Sequence, residues 1–222
     1  MSEQHTDLTQ RERRRFAGAR RLAAVSLATA GLAAASASPA MAACPVAGGG
    51  ATGPTQFLKN YNFDSGPLVG WTTNPVAGVI RTGAGTSRPF TAPWFAHLDR
   101  VPGLYAVTLS QTVTLPAGCA NYKLGFNYNI GSSQPFDGRA YDKLYVDVLN
   151  SLGTRIVRAK TLTTLDRGLN YHGVFVSLPS LAVGGKVTLV FSAYEYYWQA
   201  FYALTAPETW FNIDNVALYA YT

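Results

Sequence analysis

Between Asn121 and Ile130 apolar and polar side chains alternate without a break. Tyr122, Leu124, Phe126, Tyr128 and Ile130 share one parity; Asn121, Lys123, Gly125, Asn127 and Asn129 share the other. A period of two belongs to a β-strand with one face in a core and one turned outward. Tyr105 to Leu115 alternates in the same way, with Leu109, Val113 and Leu115 opposed to Thr108, Ser110, Thr112 and Thr114. Tyr141 to Leu149 sets Leu144, Val146 and Val148 against Tyr145 and Asp147. Further strands are expected over Gln56–Asp64, from Trp71-Thr72, and at Val79–Arg81, Trp94–Leu98, Arg155–Lys160, Gly173–Leu178 and Lys186–Ala193. Turn signals such as Gly66-Pro67 and Pro116-Ala117-Gly118 separate them.

The last strand, Phe211 to Leu218, changes parity midway. Phe211 and Ile213 are odd, whereas Val216 and Leu218 are even, so a β-bulge is expected at Asp214-Asn215, turning the carboxylate aside from the ladder. Short strands with no βα alternation predict an all-β, antiparallel β-sandwich. The one helical period falls in the aromatic run before that strand. Tyr194, Tyr197, Trp198, Phe201 and Tyr202 stand at i, i+3, i+4, i+7 and i+8, and Pro207 ends the pattern.

The first 42 residues read as an export signal rather than as fold. Six arginines between Arg11 and Arg21 precede an apolar stretch, Leu22 to Ala35, and an A-x-A site at Ala40-Met41-Ala42. Arg13-Arg14-Arg15-Phe16 fits the R-R-x-F of twin-arginine signals, with the general secretory route as the alternative. A flexible lead-in (43–55, with Gly48 to Pro54 at its centre) comes next, and a single domain is expected over 56–222. Without its signal the chain keeps twelve basic and nine acidic residues, so the net charge falls from +6 to +3. That balance gives no case for a nucleic-acid partner. There is no further membrane-span candidate. A secreted or extracellular protein is expected.

Cys44 and Cys119 remain as the two cysteines. Export places them in an oxidising compartment, where a disulfide is the expected state. Closing a loop of this length contributes about 4 kcal/mol in the chain-entropy account. The alternative is a lipid anchor at Cys44, because Met41-Ala42-Ala43-Cys44 loosely matches a lipobox.

Several landmarks resemble those of the galactose-binding-domain-like jelly rolls of secreted bacterial proteins, which include many carbohydrate-binding modules. Asn60-Tyr61-Asn62-Phe63-Asp64-Ser65-Gly66 followed by Gly70-Trp71 is similar to their opening N-G-x-F-E-x-G…G-W. Leu109-Ser110-Gln111-Thr112-Val113 with Pro116-Ala117-Gly118 matches L-S-Q-T-V…P-A-G. Val183 to Leu189 resembles A-G-Q-T-V-T-L, and Phe211 to Val216 resembles F-x-I-D-D-V. The resemblance runs from about Asn60 to Leu218 and implies a jelly roll. It also implies a structural Ca2+ between the chain's two ends, with Asp64, Asp214 and backbone carbonyls as ligands; calcium takes six to eight oxygens. This chain departs from the pattern in having Asn215 for the second carboxylate and a long aromatic insert before the last strand. Without calcium, Asp64 would cap a turn and Asp214 would accept bulge N–H groups.

Two surfaces are candidates for binding a glycan or cell-surface polysaccharide. The insert offers Tyr194, Tyr197, Trp198, Phe201 and Tyr202 as a stacking face, with Glu195 and Gln199 to bond sugar hydroxyls. The same stripe would serve as an auxiliary core, or as a contact for self-association or a protein partner. The second candidate is the outward parity of the Asn121 and Tyr141 strands, where Asn127, Asn129, Tyr145 and Asp147 would share a polar face; the bland alternative is a solvated sheet. Catalysis is poorly served. No G-x-S-x-G or H-E-x-x-H occurs, and His97 with Asp99 shares a strand face without an evident nucleophile. A non-catalytic binding protein is therefore expected, ahead of a polysaccharide lyase or hydrolase.

Overall fold

The computed structural model describes residues 56–66, 69–74, 80–83, 87–99, 106–116, 119, 121–134, 137–178, 181, 185–194 and 208–221. All of them belong to one unit, Ala40–Thr222. The strands are β1 (Thr72–Asn74), β2 (Ile80–Thr82), β3 (Trp94–Asp99), β4 (Ala106–Thr114), β5 (Asn121–Ser132), β6 (Lys143–Leu149), β7 (Arg155–Thr163), β8 (His172–Leu178), β9 (Lys186–Tyr194) and β10 (Thr209–Tyr221). One 3-10 turn, Thr164–Asp166, follows β7. Thr163 caps it, and the Asp166 side chain bonds back to the Thr163 backbone.

Two antiparallel sheets of five strands each form a sandwich. Sheet one runs β1-β4-β9-β6-β7 and sheet two β2-β3-β10-β5-β8. The alternation seen in the sequence decides which residues meet between them. Leu109, Leu144, Val146, Leu189 and Phe191 of sheet one are buried with Leu98, Leu124, Phe126, Ile130 and Ile213 of sheet two. The rings of Phe126 and Phe191 meet edge to face across the layers, 5.3 Å apart, a favoured geometry for aromatic quadrupoles.

The expected strand over Gln56–Asp64 is replaced by a curl. Gln56 makes a single bridge with Tyr219, and Phe57 N–H donates to the Leu218 carbonyl. Asn60 and Phe63 then take left-handed φ values of 47° and 63°, which interrupt a regular strand. Asn60 fixes the curl by accepting from Ser65 N–H at 2.9 Å and donating to the Gly66 carbonyl at 3.2 Å. A long-range contact completes it: the buried amide of Gln111 accepts from Lys59 N–H at 2.6 Å and donates to the Lys59 carbonyl at 3.0 Å. Trp71 Nε1 bonds the Asn60 carbonyl, and its ring packs on Phe63. Gly70, at φ 79°, lets the chain pass where a Cβ would stand 2.9 Å from that of Lys59.

The bulge in the last strand is present. The β10–β5 register slips between Asp214 and Ala217, and Asn215 has φ 48°. Asp214 itself keeps its ladder position opposite Asn127. Only its carboxylate is diverted.

Candidate functional site

Tyr145 on β6 and Tyr194 on β9 come together on the outer face of sheet one. Their ring centroids lie 5.4 Å apart at 60°. The strands pair with Lys143 opposite Tyr194 and Tyr145 opposite Ser192, so the two tyrosines are diagonal neighbours. The Arg158 guanidinium caps the Tyr145 ring, its Cζ 3.6 Å from the centroid, within cation–π range. Asp147 holds that guanidinium in a fork, accepting from Nε at 2.8 Å and Nη2 at 2.9 Å. This bond raises the Arg158 pKa further. Local irregularity makes the fork: the β6–β7 register shifts between Val146 and Asp147, placing Arg158 opposite Asp147. Arg155 Nη1 stands 3.9 Å from the same carboxylate. Opposite Tyr145 in the ladders stand Thr161 of β7 and Ser192 of β9, both hydroxyl residues. The surface thus joins two half-buried rings, a cation neutralised by its own acid, and hydroxyl groups.

Sequence reasoning assigned Tyr194 to the insert and Tyr145 to a strand face; they belong to one place. Glu195, Tyr197, Trp198, Gln199, Phe201 and Tyr202 lie outside the described residues, as does Cys44. Cys119 is buried at the core's edge, and no cysteine among the described residues is free.

The expected common face of the Asn121 and Tyr141 strands does not exist. Asn127 and Asn129 are on β5 in sheet two, whereas Tyr145 and Asp147 are on β6 in sheet one. The connection between these strands crosses from one layer to the other, so their outward parities point away from opposite sides of the sandwich. Asn129 is also buried. Its Nδ2 donates to the carbonyls of Gly168 at 2.7 Å and Asn170 at 3.2 Å. That leaves its Oδ1 to accept from Asn212 Nδ2 at 3.1 Å. Asn212 Oδ1 must then accept, so the 2.6 Å contact to His97 Nδ1 carries the histidine's proton. His97 Nε2 faces Asp99 Oδ2 at 3.4 Å. His97 and Asp99 do share a face, but the imidazole is spent orienting a buried amide chain across β3, β10 and β5.

Asp214 is also buried on this side. Its Oδ2 accepts from the N–H groups of Phe90 and Thr91, each at 2.9 Å, and Oδ1 accepts from Asn215 N–H at 2.7 Å. Burial pushes its pKa up to about 6 despite those three donors, and the charge of Asp64 adds to the rise. Asp64 is exposed, and its Oδ2 accepts from Asn62 Nδ2 at 2.5 Å. The two acids are therefore near enough to feel each other. The role of residues 87–93 was not foreseen. They form a strap held from beneath by Asp214, and the strap meets the loop before β8 through Tyr171, whose hydroxyl donates to the Arg88 carbonyl at 2.8 Å and whose ring packs on Phe90. Their Ser and Pro content, with Gly83 and Gly85 just before them, signalled a loop but not its anchor.

No helix among the described residues is long and apolar enough to cross a membrane. No family model matches the sequence, and no curated protein does. Among solved structures, the chain is similar to the TmCBM61 module, whose structure was solved in complex with β-1,4-galactotriose, with a TM-score of 0.51, 16% identity, and coverage of 75% of this chain and 99% of that one. It is also similar to a family 16 carbohydrate-binding module at a TM-score of 0.43 and 17% identity, covering 73% and 98%. The CBM22-1 xylan-binding domain of Paenibacillus barcinonensis Xyn10C overlaps at a TM-score of 0.42 and 10% identity, covering 77% and 97%. At this identity the likeness to the TmCBM61 module is one of fold: the chain is a jelly-roll β-sandwich.

Proposed function

We propose that this protein is a secreted, non-catalytic glycan-binding module that binds through the outer face of sheet one around Tyr145 and Tyr194. The observation that carries the reading is the tyrosine pair at 5.4 Å with Arg158 fixed beside it and the hydroxyl residues Thr161 and Ser192 opposite Tyr145. A pyranose ring presents C–H groups to an aromatic face, and its hydroxyls need donors and acceptors around the rim. The aromatic insert begins directly after Tyr194 in the sequence, and its Tyr197, Trp198 and Phe201 are included in the proposal as further sugar-stacking residues. The carbohydrate-binding modules of similar fold support a saccharide ligand in general. Export supports an extracellular site of action, with a Cys44–Cys119 disulfide in the exported chain.

Calcium belongs to the same proposal. Asp214 is an acid whose charge is disfavoured first by burial and then by the charge of Asp64, and a divalent cation would relieve both effects. These two carboxylates would be its side-chain ligands, with main-chain carbonyls completing the set. Its role would be to tie the curl after Gln56 to the bulge of β10.

The test is affinity electrophoresis of the purified protein through β-1,4-galactan, xylan and β-glucan, comparing wild type with Tyr145→Ala and Trp198→Ala. Retardation by one of these polysaccharides that Tyr145→Ala weakens, with the melting curve retained, supports the reading. Retardation untouched by both substitutions, or none in any gel, contradicts it.

A further inference from the structure

Sheet two has an outer face of its own, and only part of it lies beneath the strap and the loop before β8. On the remaining part, Phe175 of β8 is 77% exposed. A single exposed apolar side chain is ordinary. The seating of this one is not. Phe175 pairs with Gly125, and Gly173 pairs with Asn127, on adjacent strands. A Cβ placed on Gly125 would stand 3.1 Å from Phe175 Cε1 and 3.2 Å from Cδ1; one placed on Gly173 would stand 3.5 Å from Cε2. The ring therefore leans back over two positions without side chains, and a residue larger than glycine at 125 would lift it. Tyr219, from the next strand, brings its hydroxyl to 3.5 Å from the same point over Gly125. The Asn127 amide oxygen reaches 3.6 Å from the point over Gly173. An exposed ring is thus laid along the sheet with a phenol on one side and a carboxamide on the other.

We propose that this is a second saccharide site, in which Phe175 stacks on a neutral pyranose while Asn127 and Tyr219 bond its hydroxyls. The flanking groups are uncharged and can both donate and accept, which matches a neutral sugar better than an anionic one. Asn127, expected from the sequence to act beside Tyr145, acts here instead, on the opposite side of the sandwich. The inference rests on the glycan-binding reading above and extends it: one chain carries sites on both outer faces, so it can join two polysaccharide strands or hold one with higher avidity.

The test uses wild type, Phe175→Ala, Phe175→Trp and Tyr145→Ala in the same β-1,4-galactan, xylan and β-glucan gels, with light scattering of each protein mixed with the soluble polysaccharides. Phe175 is exposed, so its replacements should melt with wild type. Wild type should cross-link one of the polysaccharides; each alanine variant should keep one site's retardation and lose the cross-linking. Phe175→Trp should restore it. The loss at the second site should be about tenfold in affinity, the scale of one aromatic stack. If Tyr145→Ala removes all binding and Phe175→Ala changes nothing, the second site is wrong and the first stands. If wild type binds none of the polysaccharides, both fall.

Discussion

The two outer faces of the sandwich use the same kinds of residue for opposite ends. On sheet two, Asn129, Asn212, His97 and Asp214 point outward from their strands yet are buried, because the strap at 87–93 and the loop before β8 cover them. Each side chain there is matched to a partner. On sheet one, Tyr145, Asp147 and Arg158 also match one another but stay partly accessible, and the assembly presents ring and hydroxyl surface. A buried polar network specifies structure, since every unpaired member carries a desolvation cost. A partly exposed one is left to recognise something else. Outward parity alone does not separate these cases; what covers the face does.

Substitution should expose that difference most strongly at Asn212. Asn212→Ala leaves His97 Nδ1 and Asn129 Oδ1 buried without partners, at about 3 kcal/mol or more. The melting temperature should fall by about 10 °C. The counterpart on sheet one, Tyr145→Ala, forfeits one aromatic and one cation–π contact, about 1–2 kcal/mol. If scanning calorimetry gives the two variants equal losses, the faces are not divided as described.

Asp214 sharpens the comparison through pH. Its folded pKa lies above the ordinary value, so the native state binds more protons than the unfolded one between about pH 4 and pH 6. Stability from this group is present at low pH and lost as pH rises through about 6, by about 3 kcal/mol for a shift from 3.8 to about 6. Urea titrations across that window should show the decline in wild type and not in Asp214→Asn. Millimolar Ca2+ should recover the loss above pH 6 and do little at pH 4. A melt insensitive to calcium and to chelator at pH 7.5 would remove the cation and leave Asp214 as the anchor of the strap alone.

The strands were readable because alternation survives wherever one face meets the core, as over 121–130. Even the bulge showed, since a parity change in Phe211–Leu218 has few other causes. The curl at 58–65 was hidden because its left-handed residues are held by Gln111, fifty-two positions from Lys59. Gln111 sits at a core-facing position between Leu109 and Val113, where a polar residue looks like an exception instead of an anchor. Gln111→Ala should therefore cost about 1–2 kcal/mol by freeing the Lys59 backbone groups, seen in the urea midpoint. The division of β5 and β6 between sheets was hidden for another reason. Successive alternating strands suit a hairpin and a crossover equally, and only their neighbours β10 and β9 decide between them. Of the candidate site, the residue types were legible but not their grouping.

The smallest stability effect is expected where the functional claim is strongest. Asp147→Ala breaks an exposed fork and should change stability by less than about 1 kcal/mol. It frees Arg158 from its place over Tyr145, so saccharide affinity should drop several-fold while the melt barely moves. Equal stability and equal affinity would mean that the guanidinium is a bystander.

The central claim is that the Tyr145–Tyr194 surface takes a glycan, and isothermal titration of wild type and Tyr145→Ala with the polysaccharide that retards the protein tests it most directly. The account predicts measurable heat for wild type and loss of the sheet-one site in the variant, both proteins showing cooperative melts. Titrations that superimpose, with both proteins folded, would contradict it.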